Sequence, residues 1–305
     1  MAHDGVQLVV PGSTSNLGSG FDAISAALSV YLEIDVTFRE DAGLIWPEGW
    51  TLEPAENAIE KGLRATAAEL GVEVPGMAFE VRNDIPLRRG LGSSGAAYVA
   101  GIRLAEYLAG SRLPELESLA IAYGLEGHPE NVAASLMGGW TLSWVDSGKV
   151  WSERLSSKLD CRFVVAIPDI EISTRQARAI LPGQYGLEDA VFNLQRCGLL
   201  VFAISQGRPD LLGEATRDRL HQDYRASLIP GAEAVLAREG LPRHLDDQVL
   251  ALTVSGSGST LLAITTGEHD EVGRWMVEAL AVRRSRADYH VLDLDTRGVR
   301  LVGEA

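Results

Sequence analysis

Lysine is scarce in this chain: Lys61, Lys149 and Lys158 are the only three among 305 residues. None of them lies in a glycine-rich loop, and no Gly-x-x-x-x-Gly-Lys-Ser/Thr occurs, which excludes a P-loop NTPase. The tripeptides His-Arg-Asp and Asp-Phe-Gly are missing as well, which excludes a protein kinase. Cysteine is limited to Cys161 and Cys197, far apart and without a Cys-x-x-Cys, so neither a disulfide framework nor a zinc site is expected and a reducing cytoplasm is the default. Positive charge is scarce overall. The net charge is −15, and no Lys/Arg run supplies the basic face that a nucleic-acid backbone needs. Met-Ala-His-Asp-Gly at the start offers no basic region followed by an apolar segment, so export is not expected. Long apolar runs are missing too. The one charge-free window, Gln248 to Gly267, is broken at its centre by Ser255-Gly256-Ser257-Gly258-Ser259 and reads as a loop between strands.

What the chain does have is a stretch from Pro86 to Ala97: Pro-Leu-Arg-Arg-Gly-Leu-Gly-Ser-Ser-Gly-Ala-Ala. Before it, Met77, Phe79 and Val81 alternate with small or polar neighbours as in a half-buried strand, and after it a run of small residues to Leu108 has helical character. Strand, glycine loop and helix start together make an anion site. Gly90 and Gly92 permit positive φ and let the backbone approach an oxygen-rich ligand. Ser93 and Ser94 add hydroxyls to the N–H groups left free by the first helical turn. The expected ligand is a polyphosphate. Gly90, Gly92 and Gly95 also satisfy Gly-x-Gly-x-x-Gly, but the acids roughly 20 residues on, Glu115 and Glu117, fall in a helical pattern and not at a strand end, which argues against a dinucleotide fold.

Around this loop the chain alternates strands and helices. Gln7–Val10 reads as a strand that enters Pro11–Asp22, a loop too rich in small polar residues to be core, where Asn16 and Asp22 offer an amide and a carboxylate to an ammonium or hydroxyl. Tyr31–Phe38 alternates strictly, with Leu32, Ile34, Val36 and Phe38 on the dry face. Asn57–Leu70 and Pro114–Leu125 read as helices, the first stopping at Gly71. In the segment that follows, Glu126 is a hard oxygen ligand suited to Mg²⁺, and Asn131 sits three residues beyond His128, close enough to face the same cavity. His128 taken singly reads as a capping or core histidine. After a strand at Trp140–Trp144 a domain boundary is expected near Val150–Leu155. Beyond it come a strand at Cys161–Pro168, a short helix at Thr174–Ile180, and a longer helix at Glu188–Gln206 with Val191, Leu194, Leu199 and Phe202 turned inward. Arg178 and Arg225 are candidates for holding a substrate carboxylate in a guanidinium fork. Thr253–Thr260 is a strand-turn-strand whose glycines suit a close backbone approach, and a helix at Asp270–Val282 and a strand at Tyr289–Leu294 end the chain.

The Pro86–Ala97 stretch resembles the central phosphate loop of the GHMP small-molecule kinases, with Gly95 where alanine is usual. Pro11–Asp22 resembles the family's first motif in its homoserine kinase form, Gly12 and Ser19 replacing alanine and proline, and Ser255–Thr260 resembles the third motif with Ser259 for proline. Glu126–Ala134, Thr174–Pro182 and Arg219–Gly231 are similar to further segments of that branch; Glu130 stands for an aspartate there and is given no chemical role. The resemblance implies an α+β GHMP kinase fold. Residues 1–153 would form an ATP-binding domain like domain 2 of ribosomal protein S5, and residues 154–305 a ferredoxin-like α/β sandwich. It implies ATP and Mg²⁺ as cofactors and L-homoserine as the substrate, phosphorylated on the route to threonine. No nucleic acid or membrane partner is expected, and a homodimer is left open. ATP would lie on Pro86, Arg88, Arg89, Gly90, Leu91, Gly92, Ser93, Ser94 and Gly95, with Mg²⁺ on Ser94 and Glu126. Homoserine would contact Asn16, Asp22, His128, Arg178 and Arg225. Asn16, Asp22, His128 and Asn131 would be the catalytic residues, which set the reacting hydroxyl in line. The alternatives are a GHMP kinase for another small alcohol, mevalonate or a sugar, and a nucleotide-binding regulator of the same fold without turnover. The arginine pair argues against a sugar, and intact Ser94 and Glu126 argue against lost turnover.

Overall fold

The computed structural model describes residues 5–48, 56–281 and 286–302; residues 1–4, on which part of the N-terminal reading falls, and Val282, the last residue of the expected final helix, lie outside them. Two sheets organise the chain. The first is built from β1 (Gly5–Asn16), β2 (Gly20–Arg39), β3 (Leu44–Ile45), β4 (Gly76–Asn83), β5 (Trp140–Asp146) and β6 (Lys149–Leu155), with the helices α1 (Ala58–Leu70), α2 (Ser93–Ala109), α3 (Glu115–Glu126) and α4 (Pro129–Met137). The second contains β7 (Arg162–Pro168), followed by α5 (Thr174–Ala179), α6 (Leu187–Gln206), α7 (Leu212–Ala215), α8 (Gln222–Ala226), α9 (Ala232–Leu236), β8 (Val249–Val254), β9 (Leu261–Thr265), α10 (His269–Ala281) and β10 (Ala287–Leu292). Its order is β10-β7-β9-β8, antiparallel throughout. Strand, helices, two strands, helix and strand in that spatial order make the ferredoxin-like arrangement. The short β11 (Arg300–Leu301) returns to the first sheet and pairs with β1.

The alternation in β2 does what its pattern predicts: Leu32, Ile34 and Val36 are buried and Phe38 stacks on Tyr107. β2 is longer than that pattern, however, and changes partner along its length. Its far half pairs with β4 from Leu32 to Arg39, and its near half pairs with β5 from Ile24 to Ala26. Helix α1 begins where the Asn57 side chain accepts hydrogen bonds from the N–H groups of Ile59 and Glu60, and it ends at Gly71 in the left-handed region. The two sheets meet through Trp140 on β5 and Phe163 on β7, both buried, with ring centroids 5.5 Å apart.

Several expectations are corrected. Pro11–Asp22 is not a loop outside the core: β1 runs on to Asn16, only Leu17–Ser19 form the turn, and Ser13, Thr14, Ser15 and Leu17 have no exposed surface. Small hydroxyl side chains are tolerated there because each finds a partner on a distant segment. Ser13 Oγ donates to Asn131 Oδ1 at 3.0 Å, and Thr14 Oγ1 accepts from Ser255 Oγ at 2.9 Å. Residues 129–137 form α4, with proline at its first position, and 149–155 form a hairpin strand; neither was expected. On α6 the apolar residues face the other way. Val191, Leu194 and Phe202 are exposed, and the helix turns Asn193, Leu200, Ala203 and Ile204 to the interior.

Candidate active site

Three segments that are far apart in sequence interlock by backbone hydrogen bonds to make one cleft. Ser13 N–H donates to the Leu91 carbonyl at 3.0 Å, Gly256 N–H to the Ser15 carbonyl at 3.1 Å, and Ser255 Oγ to the Gly90 carbonyl at 2.7 Å. The cleft between them is lined by the phosphate-loop residues, by Asn16 and Asp22 from the β1–β2 turn, by Glu126, His128, Glu130 and Asn131, and by Arg178 and Arg225.

At one end lies the start of α2. Gly92 caps it at φ 72° with no side chain in the cap, so the first-turn N–H groups stay available to an anion at the positive end of the helix. The glycines also face the protein's own strands. A Cβ on Gly92 would lie 2.1 Å from Ser13 Oγ, and one on Gly90 2.1 Å from the Ser255 carbonyl oxygen. Their missing side chains thus let the loop pack against the protein's own strands, which holds the helix start in place. Leu91 is buried beneath the loop. Arg89 is committed to the second sheet, donating to the Pro168 carbonyl and to Asp169 at 3.0 Å, while Arg88 is exposed and pairs with Glu171 at 3.5 Å. Pro86, Ser93 and Ser94 line the cleft, and Gly95 lies buried under them.

Beside the helix start, Ser94 Oγ donates to Glu126 Oε2 at 2.7 Å. Burial pushes the Glu126 carboxyl up from its ordinary value, and the Ser94 hydrogen bond opposes this. A hydroxyl and a carboxylate, adjacent and hard, fit a divalent cation such as Mg²⁺. Among the described residues no three His, Cys, Asp or Glu side chains cluster as a metal cage, so an ion here would take its other ligands from phosphate oxygens and water.

The other end of the cleft is basic. Arg178 donates from Nη2 to Asp22 Oδ1 at 2.8 Å and from Nε to His128 Nε2 at 3.0 Å. Accepting that bond leaves His128 as the neutral tautomer protonated on Nδ1, and burial together with the Arg178 charge lowers its pKa. Arg225 is 2% exposed and donates to the Gly256 carbonyl at 2.8 Å, while its Nε has no partner among the described residues. Both guanidinium groups lie over the ring of Phe21, at 5.7 Å and 5.0 Å, and His221 stacks on the same ring at 4.8 Å. Burial, then the neighbouring Arg178 charge, lowers the pKa of Arg225, with Asp22 and Glu130 opposing. Asn16 ties the turn together, its Oδ1 accepting from Asp22 N–H at 3.0 Å and its Nδ2 donating to the Gly256 carbonyl at 2.9 Å. Asn131 faces the same cleft as His128, but its amide is engaged by Ser13 and by Ser15 Oγ at 3.1 Å.

Three residues of the site were not picked out from the sequence. Glu130 is 4% exposed, its Oε2 has no partner among the described residues, and burial followed by the Asp22 charge pushes its carboxyl up to about 7. Phe21, between Gly20 and Asp22, could have been noticed as the one aromatic in a small polar stretch. His221 stands four residues before Arg225, a spacing that places both on one helix face. Its Nε2 donates to the Gly18 carbonyl at 2.8 Å, which leaves Nδ1 toward Arg225.

Comparison with known proteins matches this architecture closely. A family model described as the GHMP kinases N terminal domain matches residues 57–139. A homoserine kinase of Thermus thermophilus is 43% identical over 270 residues, 88% of this chain and 90% of the relative. One from Desulfitobacterium hafniense is 34% identical over 97% of this chain and 100% of its own length. Among solved structures, the crystal structure of homoserine kinase from Cytophaga hutchinsonii superposes with a TM-score of 0.88 at 25% identity, covering 99% of this chain and 98% of that one. The fold is thus shared over nearly the whole length, and the chain belongs to the GHMP kinase family in its homoserine kinase branch.

Proposed function

We propose that the chain transfers the γ-phosphoryl group of ATP to the side-chain hydroxyl of L-homoserine, giving ADP and O-phospho-L-homoserine for threonine synthesis. The observation that carries this is the pairing of Arg178 and Arg225 over one face-sharing ring, Phe21, across the cleft from the start of α2. One end suits a polyphosphate and the other a carboxylate. Glu130 sharpens the reading: a buried carboxylate with an unpartnered oxygen among two arginines fits the ammonium of an amino acid, which neither mevalonate nor a sugar carries. ADP release assayed with homoserine, mevalonate and galactose side by side is the test, and homoserine should be turned over in clear preference.

In the proposed reaction the protein supplies position and charge, since phosphoryl transfer asks little covalent work of it. Mg²⁺ bound at Ser94 and Glu126 would neutralise charge on the phosphate oxygens. The α2 N–H groups hold the phosphates, the two arginines the carboxylate, and Glu130 the ammonium. With those groups held, Asn16, Asp22 and His128 set the hydroxyl oxygen facing the γ-phosphorus, and the new P–O bond forms as the bond to the β-phosphate oxygen breaks, the hydroxyl proton passing to an oxygen of the transferred phosphoryl group and on to water. We take residues 1–153 and 154–305 as the two domains of the enzyme, and two free thiols, Cys161 and Cys197, suit the reducing cytoplasm in which ATP is abundant.

Two measurements bear on these roles. Glu126→Gln should lower turnover by on the order of 100-fold while far-UV circular dichroism stays unchanged, because an amide is a poor ligand for a hard dication. Wild-type turnover in that variant would move the metal elsewhere. For Glu130 the sign of the pH effect is fixed by its shift: a carboxyl whose folded-state value is raised favours the folded state when protonated, so its contribution is present below about pH 4.5 and is lost as pH rises to about 7. Glu130→Gln should therefore gain stability over wild type in urea unfolding as pH rises through that window, by on the order of 3 kcal/mol at pH 8. A difference between the two proteins that is constant with pH would show that the carboxyl is not held neutral in the free enzyme.

A further inference from the structure

His221 is not among the residues that line the cleft, and its ring has no exposed surface, yet it touches two of the segments from which the basic end is built. Its backbone is fixed in place. Asp218 Oδ2 accepts from the N–H groups of Leu220, His221 and Gln222 at 3.1, 2.7 and 2.7 Å, and the Gln222 side chain accepts from Val254 N–H at 3.1 Å, so the turn into α8 is pinned to β8. From that anchor the ring reaches in two directions. Nε2 donates to the Gly18 carbonyl at 2.8 Å, in the turn between Asn16 and Asp22, and the ring stacks on Phe21 with 21° between the planes. Nδ1, left as an acceptor, stands 3.5 Å from Nη1 of Arg225. Only a neutral ring can serve in this way. Burial holds the pKa of His221 down; the Asp218 carboxylate, 3.8 Å from Nε2, opposes this, the Arg225 charge adds to it, and the Gly18 bond and Asp22 oppose it further.

Arg225 has a use for such a neighbour. Its Nη1 has two N–H bonds, and two acceptors stand beside it, the Gly256 carbonyl at 2.8 Å and His221 Nδ1. With Nη1 occupied, the pair of parallel donors left for a planar two-point contact is Nε with Nη2, and Nε has no partner among the described residues although it is buried. We propose that His221 is a positioning residue for the substrate: by engaging Nη1 it fixes the guanidinium plane of Arg225 and leaves the Nε–Nη2 edge to the carboxylate of the amino acid. This role rests on the assignment of Arg225 to that carboxylate and adds the residue that selects which edge is presented. The bond to Gly18 and the stack on Phe21 hold the ring against the turn, so the segment that carries Asp22 and the segment that carries Arg225 keep one spacing.

Two amide substitutions separate the two ends of the ring. His221→Gln places an amide near Nε2, where it can still reach Gly18, and removes the acceptor at Nδ1; His221→Asn places an amide oxygen near Nδ1 and gives up Gly18. Steady-state kinetics should show the homoserine KM raised on the order of 10-fold in His221→Gln, with the ATP KM and kcat within about 2-fold of wild type, and most of that loss recovered in His221→Asn. Added to Arg225→Gln, His221→Gln should cost nothing further, because the lost interaction is the same one. The wild type gives a measurement that needs no substitution: imidazole ¹⁵N spectra should show His221 as the neutral ring protonated on Nε2 from about pH 6 to 8. A wild-type homoserine KM in His221→Gln, an equal rise for ATP, a loss in His221→Asn as large as in His221→Gln, full additivity with Arg225→Gln, or a ring protonated on Nδ1 would each overturn the proposal. If Arg225→Gln itself leaves the homoserine KM unchanged, the carboxylate assignment fails and the role of His221 with it; if Arg225→Gln is impaired and His221→Gln is not, the role of His221 alone fails.

Discussion

Gly92→Val is expected to abolish ATP binding, because a side chain there strikes the protein's own strand beside the cleft. Two separate costs fall on the substitution. At φ 72° an L-residue is strained by roughly 1–2 kcal/mol, more for a β-branched one. Its Cβ also enters the space of Ser13 Oγ at 2.1 Å and of Ser13 N at 3.1 Å, an overpacking penalty of about 1–3 kcal/mol. The Ser13 N–H to Leu91 carbonyl bond lies beside that contact, so the chain relieves the clash by separating the phosphate loop from β1, and the start of α2 moves with it. Gly71→Ala is the matched control, because its φ of 66° carries similar strain while a Cβ there meets nothing within 4 Å. Calorimetry should find ATP affinity retained in Gly71→Ala and lost in Gly92→Val, with Gly92→Ala already impaired. Wild-type affinity in Gly92→Val would remove the start of α2 from the phosphate site.

The glycines show how far the sequence could be read. Their positive φ values and their place before a helix were legible, because strand, loop and helix leave separate periodic marks on either side of Pro86–Ala97. What could not be read was the identity of the atoms they approach, since Ser13 and Ser255 lie far away in sequence and only the folded sheets bring them there. The same limit explains Pro11–Asp22. Local rules assign a run of serine, threonine and glycine to a surface loop, but burial is decided by partners, and the partners of Ser13 and Thr14 are Asn131 and Ser255. On α6 the periodicity located a helix correctly and then assigned its apolar stripe to the interior, as pattern alone always does. Packing gave the interior to Leu200, Ala203 and Ile204 instead, with Asn193 buried because it holds the turn before α8: its Nδ2 donates to Asp218 at 2.6 Å and its Oδ1 accepts from Arg219 N–H at 2.8 Å. That turn leads to Arg225, so a residue with no mark of function in the sequence supports one that does.

Neutralising Arg178 or Arg225 should weaken homoserine far more than ATP. A charge-assisted hydrogen bond contributes roughly 1.5–3 kcal/mol, which is on the order of 10- to 150-fold in affinity. The two residues differ in what else they hold, and the variants should be chosen accordingly. Arg178 is partly exposed and spans Asp22 and His128 with separate nitrogens, so Arg178→Lys keeps the charge but cannot keep both contacts, and rescue should be partial. Arg225 is buried against Phe21 and the Gly256 carbonyl, so truncation to alanine would also open a cavity; Arg225→Gln, with a urea-unfolding control, separates lost recognition from lost fold. The substrate provides the complementary change. A homoserine analogue with its carboxylate amidated should be poor with the wild type and lose little more in either variant, because the shared interaction is removed only once. If the amide is phosphorylated as well as homoserine, or if the variants lose ATP and homoserine equally, these arginines do not read the carboxylate. The carboxylate would then be read elsewhere in the cleft.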